Sequence, residues 1–187
     1  MARAPRTTYQ LKITLKGAKP PIWRRFLIES SVTLAKLHDA IQIVMGWTNA
    51  HLHQFIADGE YFGVPDPDFG LDEVLDEKKY KLNQLLMDEK DSISYEYDFG
   101  DSWTHKITLE KILPFDAKAQ LPFCVKGKGA CPPEDVGGIW GYYNFLEALN
   151  DPEHSEHEDY LEWMGGGFDP AAFDIEEVNK LLAKYCR

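Results

Sequence analysis

The chain has 187 residues, of which 44% are hydrophobic and 13% aromatic, and its formal net charge is −11. This composition supplies enough apolar surface for a packed core and excludes a disordered protein, so we expect one domain over residues 1–187. The sequence holds no apolar run typical of a membrane span or a signal peptide, and its three cysteines are too few for a disulfide scaffold, so we expect a cytoplasmic protein with no membrane partner.

The charge is distributed unevenly along the chain. Residues 1–50 carry eight Lys or Arg and two acidic residues, whereas residues 51–187 carry twelve Lys or Arg and 29 acidic residues. One interpretation is a single fold with a basic edge. The other is an exposed basic patch, through which residues 1–50 bind nucleic acid or an acidic partner. The arginines of that patch are Arg3, Arg6, Arg24 and Arg25.

The first elements are two strands and a helix. Alternating apolar residues predict strands over Tyr9–Leu15 and Ile22–Ile28. Apolar residues then recur at helical spacing from Leu34 to Met45. Thr33 is suited to cap the start of this helix and Gly46 to end it.

A hairpin and an acidic segment follow. His51–Ala57 and Glu60–Val64 flank an Asp58-Gly59 dipeptide, which predicts a two-residue turn that pairs Phe55 with Phe62. Residues 65–91 are rich in Asp, Glu, Pro and Gly, and we expect an exposed acidic excursion that ends in a short helix. The leucines of that helix are Leu82, Leu85 and Leu86.

A second hairpin is predicted between Ile93 and Ile112. We expect a three-residue loop near Gly100, which would set Tyr97 against His105. That register places His105 on an aromatic face and leaves Asp98 and Asp101 at the hairpin tip.

The rest of the chain is predicted to be loop-rich and then helical. Glycines and prolines between residues 114 and 138 indicate loops, and three helices are expected in the C-terminal part, 139–187. The first carries an apolar stripe of Trp140, Tyr143, Leu146 and Leu149, the second runs from about Glu153 to Met164, and the third follows Asp174. We expect the five tryptophans to be core or sheet-packing anchors. The fold class is therefore α+β, with a mixed or antiparallel sheet of hairpins, one early helix and a helical C-terminal part.

Several sequence blocks together resemble the plasmid pRiA4b ORF-3-like family, whose members are also described as passenger proteins of insertion elements. The blocks fall in family order and cover nearly the whole chain. They are PPIWRRF at 20–26, LHDAIQIVMGW at 37–47, HLHQF at 51–55, YEYDFGDSWTH at 95–105, ACPPEDVGG at 130–138 and WGYYNFLEAL at 140–149.

The resemblance implies no defined activity. A resolvase-like label found on some members has poor support here. A serine recombinase needs a nucleophilic serine amid an arginine cluster and a basic DNA-binding module, and although Ser30 and Ser31 lie near Arg24 and Arg25, the C-terminal third is strongly acidic. Family members often carry a cysteine where this chain has Val136, so a metal site that depends on that cysteine would lose a ligand.

Cysteines and histidines provide candidate metal ligands for zinc or another divalent ion. Cys124 and Cys131 bracket a glycine-rich stretch, and His51 and His53 share one face of a strand. His105 is a further candidate. The alternatives for the cysteines are two free thiols or a disulfide. For His51 and His53, the alternative is that one is partly buried and hydrogen-bonded and the other lies at the start of the strand, and for His105 it is a hydrogen-bonded core histidine.

Four carboxylates provide a candidate catalytic cluster. Asp98 and Asp101 flank the hairpin tip, and Glu134 and Asp135 follow a rigid Pro-Pro pair. Brought together, such groups can hold Mg²⁺ or act as an acid and base pair. The alternative is turn and capping chemistry, in which each carboxylate accepts hydrogen bonds from its own backbone.

Three functions follow from these observations. The first is a non-catalytic accessory module that binds a protein or peptide, because no complete catalytic constellation is visible. The second is a metal-dependent hydrolase or nuclease built on the carboxylates and nearby histidines. The third is a nucleic-acid binder that uses Arg24 and Arg25.

Overall fold

The computed structural model describes residues 6–71 and 73–186, and it contains eight strands and five α-helices. The strands are β1 (Thr7–Leu15), β2 (Trp23–Glu29), β3 (His53–Ala57), β4 (Glu60–Gly63), β5 (Leu75–Asp76), β6 (Ser92–Tyr97), β7 (Trp103–Pro114) and β8 (Phe123–Lys128). The helices are α1 (Leu34–Met45), α2 (Leu82–Leu85), α3 (Gly138–Asn150), α4 (His157–Met164) and α5 (Ile175–Tyr185).

All eight strands form one sheet in the order β5-β4-β3-β6-β7-β1-β2-β8. Neighbouring strands are antiparallel except for the parallel pair β4 and β5, which makes the sheet mixed. Burial alternates along β1, β2 and β6, as expected for a sheet with one buried and one exposed face. The predicted α+β class is confirmed.

The early helix forms as its sequence predicts. The Thr33 side chain accepts a hydrogen bond from the Lys36 backbone N–H, and Gly46 ends the helix with a left-handed φ of 107°. Leu34, Leu37 and other apolar residues of α1 are fully buried in the core. The helix covers the apolar face of the sheet, while α5 packs against α1 and β8.

The first hairpin has the predicted register. Phe55 pairs with Phe62, and the turn residues Asp58 and Gly59 have φ values of 51° and 82°. Positive φ at both positions is typical of the tight turns that match strand twist.

The second hairpin has the predicted faces but a different register. Tyr97 pairs with Trp103 and Tyr95 with His105, so the predicted three-residue loop is wrong and the loop contains residues 98–102. The chain turns at Asp98, which has a φ of 59° and whose carbonyl accepts a hydrogen bond from the Ser102 N–H, so β6 ends at Tyr97. Because the shift is an even number of residues, His105 still faces the core.

Two predicted loop or surface segments contribute to the folded core. Phe123–Lys128 forms the edge strand β8, although its glycines had indicated a loop. A Cβ at Gly127 would lie 2.5 Å from the Phe173 ring, so this glycine allows close packing within a strand. The acidic excursion joins the sheet edge through β5, and its Glu77, Leu82 and Leu86 are buried.

Helix α3 buries only part of the predicted stripe, because Leu146 and Leu149 pack against the core but Trp140 does not. Tyr142, Phe145 and Ala148 are buried, whereas Trp140 is 84% exposed. The ring of Phe145 packs against aromatic rings that follow α3, including Trp163 at 6.1 Å, and this contact sets the rotation of the helix. The expectation that every tryptophan is an anchor is therefore wrong for Trp140 and for the half-exposed Trp163.

None of the helices in residues 6–71 and 73–186 is both long enough and apolar enough to cross a bilayer.

Candidate metal centre

Three loops meet at one end of the sheet and bring together residues that are distant in sequence. They are the segment from α1 to β3, the tip of the β6–β7 hairpin and the segment before α3. These loops contribute His51, Asp98 and Asp135, whose nearest ligand atoms all lie within 4.8 Å of one another.

His51 lies at the centre of this group. Its Nε2 atom is 3.1 Å from Asp135 Oδ1, 3.7 Å from Asp98 Oδ2 and 3.6 Å from Glu134 Oε2. Ligands bound to one tetrahedral ion at about 2.0–2.2 Å lie about 3.3–3.6 Å from one another. The spacing around His51 is therefore that of donor atoms able to share one ion.

The carboxylate of Asp98 is held by its own loop. Its Oδ1 accepts hydrogen bonds from the backbone N–H groups of Gly100 at 2.9 Å and Asp101 at 3.4 Å, and Oδ2 remains on the side of His51. Asp98 and Asp135 both have a φ of 59°, in the left-handed region. This backbone conformation is uncommon outside glycine, although Asp adopts it more readily than most residues do. The surrounding contacts must therefore hold these two residues in place.

Glu134 is oriented by three donors on one oxygen. Its Oε1 accepts from the Thr48 N–H at 2.8 Å, the Thr48 hydroxyl at 2.9 Å and the Tyr97 hydroxyl at 3.1 Å. Burial raises the pKa of Tyr97 to about 12, so the phenol keeps the proton that it donates. The second oxygen, Oε2, is left on the side of His51.

Buried atoms without a hydrogen bond lie at the same place. Within residues 6–71 and 73–186, three buried polar side-chain atoms lack a hydrogen-bond partner, namely His51 Nε2, Glu134 Oε2 and Trp103 Nε1. Buried polar atoms normally form hydrogen bonds, whereas His51 Nε2 and Glu134 Oε2 have an ion-pair contact with each other at 3.6 Å. Two of the three belong to this cluster, so the donor set fits a bound cation.

Comparisons with known proteins agree with this fold. The family model described as "Plasmid pRiA4b ORF-3-like protein" matches residues 7–177. The chain belongs to this family. It is 40% identical over 184 residues to "Uncharacterized protein y4hQ" of Sinorhizobium fredii, with 95% of this chain and 94% of that protein covered. It is also similar to the crystal structure of the "Protein of Unknown Function MM3350" from Methanosarcina mazei Go1, with a TM-score of 0.83, 41% identity, and coverage of 93% of this chain and 98% of the other.

Three of the sequence blocks that carry the pRiA4b ORF-3-like resemblance converge on this centre. HLHQF supplies His51, YEYDFGDSWTH supplies Asp98, and ACPPEDVGG supplies Glu134 and Asp135. Val136, where family members often carry a cysteine, is buried and offers no donor atom. The centre of this family member therefore consists of one imidazole and carboxylates.

Asp101, the remaining predicted carboxylate, has a supporting position. One of its carboxylate oxygens accepts from the Gly137 N–H at 3.1 Å, which ties the hairpin tip to the start of α3. It lies outside the group of donors that surrounds His51.

His53 and His105 lie away from the centre. His53 Nε2 is 2.8 Å from Glu77 Oε2, and its ring stacks on His38 with centroids 3.4 Å apart. His105 is fully buried, and its Nε2 accepts a hydrogen bond from Trp47 Nε1 at 3.3 Å. His105 is therefore the hydrogen-bonded core histidine of its alternative, and His53 is a partly buried histidine paired with Glu77.

The cysteines form no ligand set among the described residues. Cys124 and Cys131 are free thiols, which contradicts the disulfide alternative, and neither belongs to the donor group around His51. Burial raises the pKa of Cys124 to about 11 and that of Cys131 well above its ordinary value. Both therefore stay protonated at neutral pH.

The described arginines of the predicted basic patch are buried or paired with glutamates. Arg24 is 1% exposed and donates to backbone carbonyls, so its assignment as a nucleic-acid or partner contact is wrong. Arg25 forms a bidentate pair with Glu110, and Arg6 pairs in the same way with Glu29. Arg3 lies outside the described residues.

The sequence analysis missed the residues that orient the cluster. Thr48 and Tyr97 hold Glu134, but they lie 86 and 37 residues from it in the chain. Tyr97 had a detectable signal, because its position on the aromatic face of the hairpin directed it towards the interior. Thr48 had none.

Close packing at Gly141 supports the loop that carries Asp135. A Cβ at this position of α3 would lie 1.9 Å from the Val136 carbonyl oxygen. Gly→Ala in a helix normally stabilises by about 1 kcal/mol, but here we expect Gly141→Ala to destabilise by about 1–3 kcal/mol. Urea unfolding measures the change. Gly167→Ala is the matched control, because no atom lies within 4 Å of its Cβ position, and equal stability of the two variants would contradict the packing argument.

Proposed function

We propose that this protein binds one divalent metal ion, such as Zn²⁺ or Mn²⁺, through His51, Asp98 and Asp135, and that the bound ion supports hydrolysis. The observation that carries the proposal is the position of His51 Nε2, a buried atom without a hydrogen-bond partner that is surrounded by carboxylate oxygens at 3.1–3.7 Å. An imidazole with carboxylates is a donor set suited to both ions.

The exposure of the centre favours a catalytic over a purely structural role. The Asp135 side chain is 70% exposed while that of Asp98 is 10% exposed, so one side of the centre opens to solvent. Three protein ligands with an open position are typical of catalytic zinc sites, where a bound ion lowers the pKa of its water to about 7. Glu134 Oε2 faces the same space and would serve there as a proton acceptor.

Metal titration tests the first part of the proposal. Protein freed of metal by chelation and titrated with Zn²⁺ or Mn²⁺ in a calorimeter should bind one equivalent. His51→Ala and Asp98→Ala should weaken binding at least about 100-fold, since even outer-shell changes cost about 10–100-fold. His154→Ala is the matched control, because His154 lies outside the cluster. Binding by His51→Ala that equals the wild type would remove this site from consideration.

A hydrolase assay tests the second part. Ester, peptide and phosphodiester substrates should be screened with the metal-loaded protein, and Glu134→Gln should lower turnover while metal stoichiometry stays at one. A protein that binds the ion at His51 but hydrolyses none of these substrates would reduce the proposal to a metal-binding module.

The accessory-module function is the second candidate, and exposed aromatic side chains favour it. Trp140 is 84% exposed and Trp163 is 49% exposed, and exposed aromatic residues are enriched at protein interfaces. The nucleic-acid function has less support, because Arg24 is buried and both Arg6 and Arg25 are paired with glutamates. A nuclease activity has the same difficulty, since carboxylates dominate the surroundings of the centre.

A further inference from the structure

A groove runs beside the proposed metal centre, between the segment before α3 and helix α4. It is lined by acidic and aromatic side chains together, and we call it the acidic groove. Its lining residues are Asp135, Val136, Glu156, Asp159, Tyr160 and Trp163.

The chain segment that forms most of the acidic groove contains no lysine or arginine. Residues 129–179 include thirteen Asp or Glu and no Lys or Arg. Among the described residues, no Lys or Arg forms an ion pair with Asp135, Glu156 or Asp159. A groove whose walls carry one sign of charge focuses the electrostatic field and attracts the opposite charge.

An aromatic surface lies within the same groove. Trp163 is 49% exposed, yet its ring contacts Phe145 edge to face with centroids 6.1 Å apart and also contacts Tyr160 at 6.1 Å. The indole is therefore fixed by packing on one side and available on the other. Trp is the aromatic residue that attracts a cation most strongly over its ring face.

We propose that the acidic groove binds a basic peptide segment of a partner protein, with a Lys or Arg side chain over Trp163 and its charge near Glu156 and Asp159. Charge complementarity selects this occupant, because a nucleic acid would meet only like charge along these walls. The groove shares Asp135 with the donor set of His51. Its proposed contacts, Trp163, Glu156 and Asp159, lie outside that set, so the inference does not require a bound metal ion.

Fluorescence anisotropy with a labelled nine-residue peptide of alternating Arg and Gly tests the proposal. The wild-type protein should bind it, the Gln-for-Arg peptide should bind at least tenfold more weakly, and added salt should weaken the interaction. Trp163→Ala should weaken binding about 3- to 30-fold, the range expected for loss of a cation–π contact. Asp159→Lys should weaken it further.

Matched variants separate this proposal from its alternatives. Trp140→Ala should bind as the wild type does, because Trp140 is exposed but lies outside the groove. His51→Ala should also bind the peptide normally, which distinguishes the groove from the metal centre. Trp163→Leu, which retains an apolar side chain against Phe145, controls for misfolding.

Three outcomes would overturn the proposal. The first is equal affinity for the Arg and Gln peptides. The second is an equal effect of Trp163→Ala and Trp140→Ala on peptide affinity. The third is a dimer of the protein that Asp159→Lys dissociates, because the occupant of the groove would then be a second copy of the chain.

Discussion

Replacing Arg24 with alanine should lower the free energy of unfolding by about 3–5 kcal/mol, the range expected when a buried charged group loses its network. Arg24 is buried, and its guanidinium donates to five backbone carbonyls, including Val44 at 2.6 Å and Gly129 at 2.8 Å. It also lies over the Phe173 ring at 4.0 Å. The variant would leave these carbonyls without their donor and create a cavity.

The position of the carbonyls explains the size of the effect. Val44 and Met45 belong to the last turn of α1, where carbonyls have no partner within the helix. A cation at this end also interacts favourably with the helix dipole. Burial lowers the pKa of Arg24 to about 10, so the side chain is still charged at neutral pH.

Arg25 is the matched control for this experiment. It is the adjacent residue, but it points to the exposed face and pairs with Glu110, so Arg25→Ala should cost about 1 kcal/mol or less. Urea unfolding at pH 7 measures both variants. Similar stability of Arg24→Ala and Arg25→Ala would show that the hydrogen bonds of the Arg24 guanidinium do not stabilise the fold. Arg24→Lys tests whether a positive charge without the planar guanidinium donors is sufficient for stability.

Lowering the pH from 7 to 4.5 should destabilise the protein by several kcal/mol through two buried histidines. Burial lowers the pKa of both His38 and His105 to about 4, from an ordinary value of 6.5. Between these two values the unfolded chain binds a proton that the folded chain does not. Stability is therefore fully present above pH 6.5 and is lost as the pH falls towards 4, by about 2–3 kcal/mol per histidine at pH 4.5.

The hydrogen bonds show why His105 resists protonation. Its Nε2 accepts from the Trp47 indole N–H, and its Nδ1 lies 3.3 Å from the Tyr95 carbonyl. A second ring proton would oppose the indole N–H in a fully buried site. His38 has an additional constraint, because its ring stacks on His53 and a charge on both rings is unfavourable.

His105→Gln tests this prediction. The variant should be less stable than the wild type at pH 7, but its stability should fall by about 2–3 kcal/mol less between pH 7 and pH 4.5. Urea unfolding at several pH values gives, for each protein, the change in the free energy of unfolding between pH 7 and pH 4.5. An unchanged pH dependence in His105→Gln would show that other groups cause the acid sensitivity.

Local patterns were sufficient for most of the secondary structure. Helix α1, with its Thr33 cap and Gly46 end, and the Asp58-Gly59 turn depend on residues within a few positions of one another. The two-residue alternation of apolar residues also predicted which side chains of the β6–β7 hairpin face the core. The register was wrong, because the chain turns at Asp98, and the alternation of apolar residues did not indicate its left-handed φ or its hydrogen bond with Ser102.

The candidate metal centre was likewise predicted only in part from the sequence. Residue chemistry marked His51, Asp98, Glu134 and Asp135 as candidates, but it marked Cys124, His53, His105 and Arg24 equally well. The sheet order and the three converging loops place the first set around one point and the others away from it. Sequence by itself thus determined most of the elements, although not β5 and β8, because helix caps, turns and periodicity act over a few residues. Only the tertiary structure decided which donors meet, because that depends on contacts between segments up to 86 residues apart, such as Thr48 and Glu134.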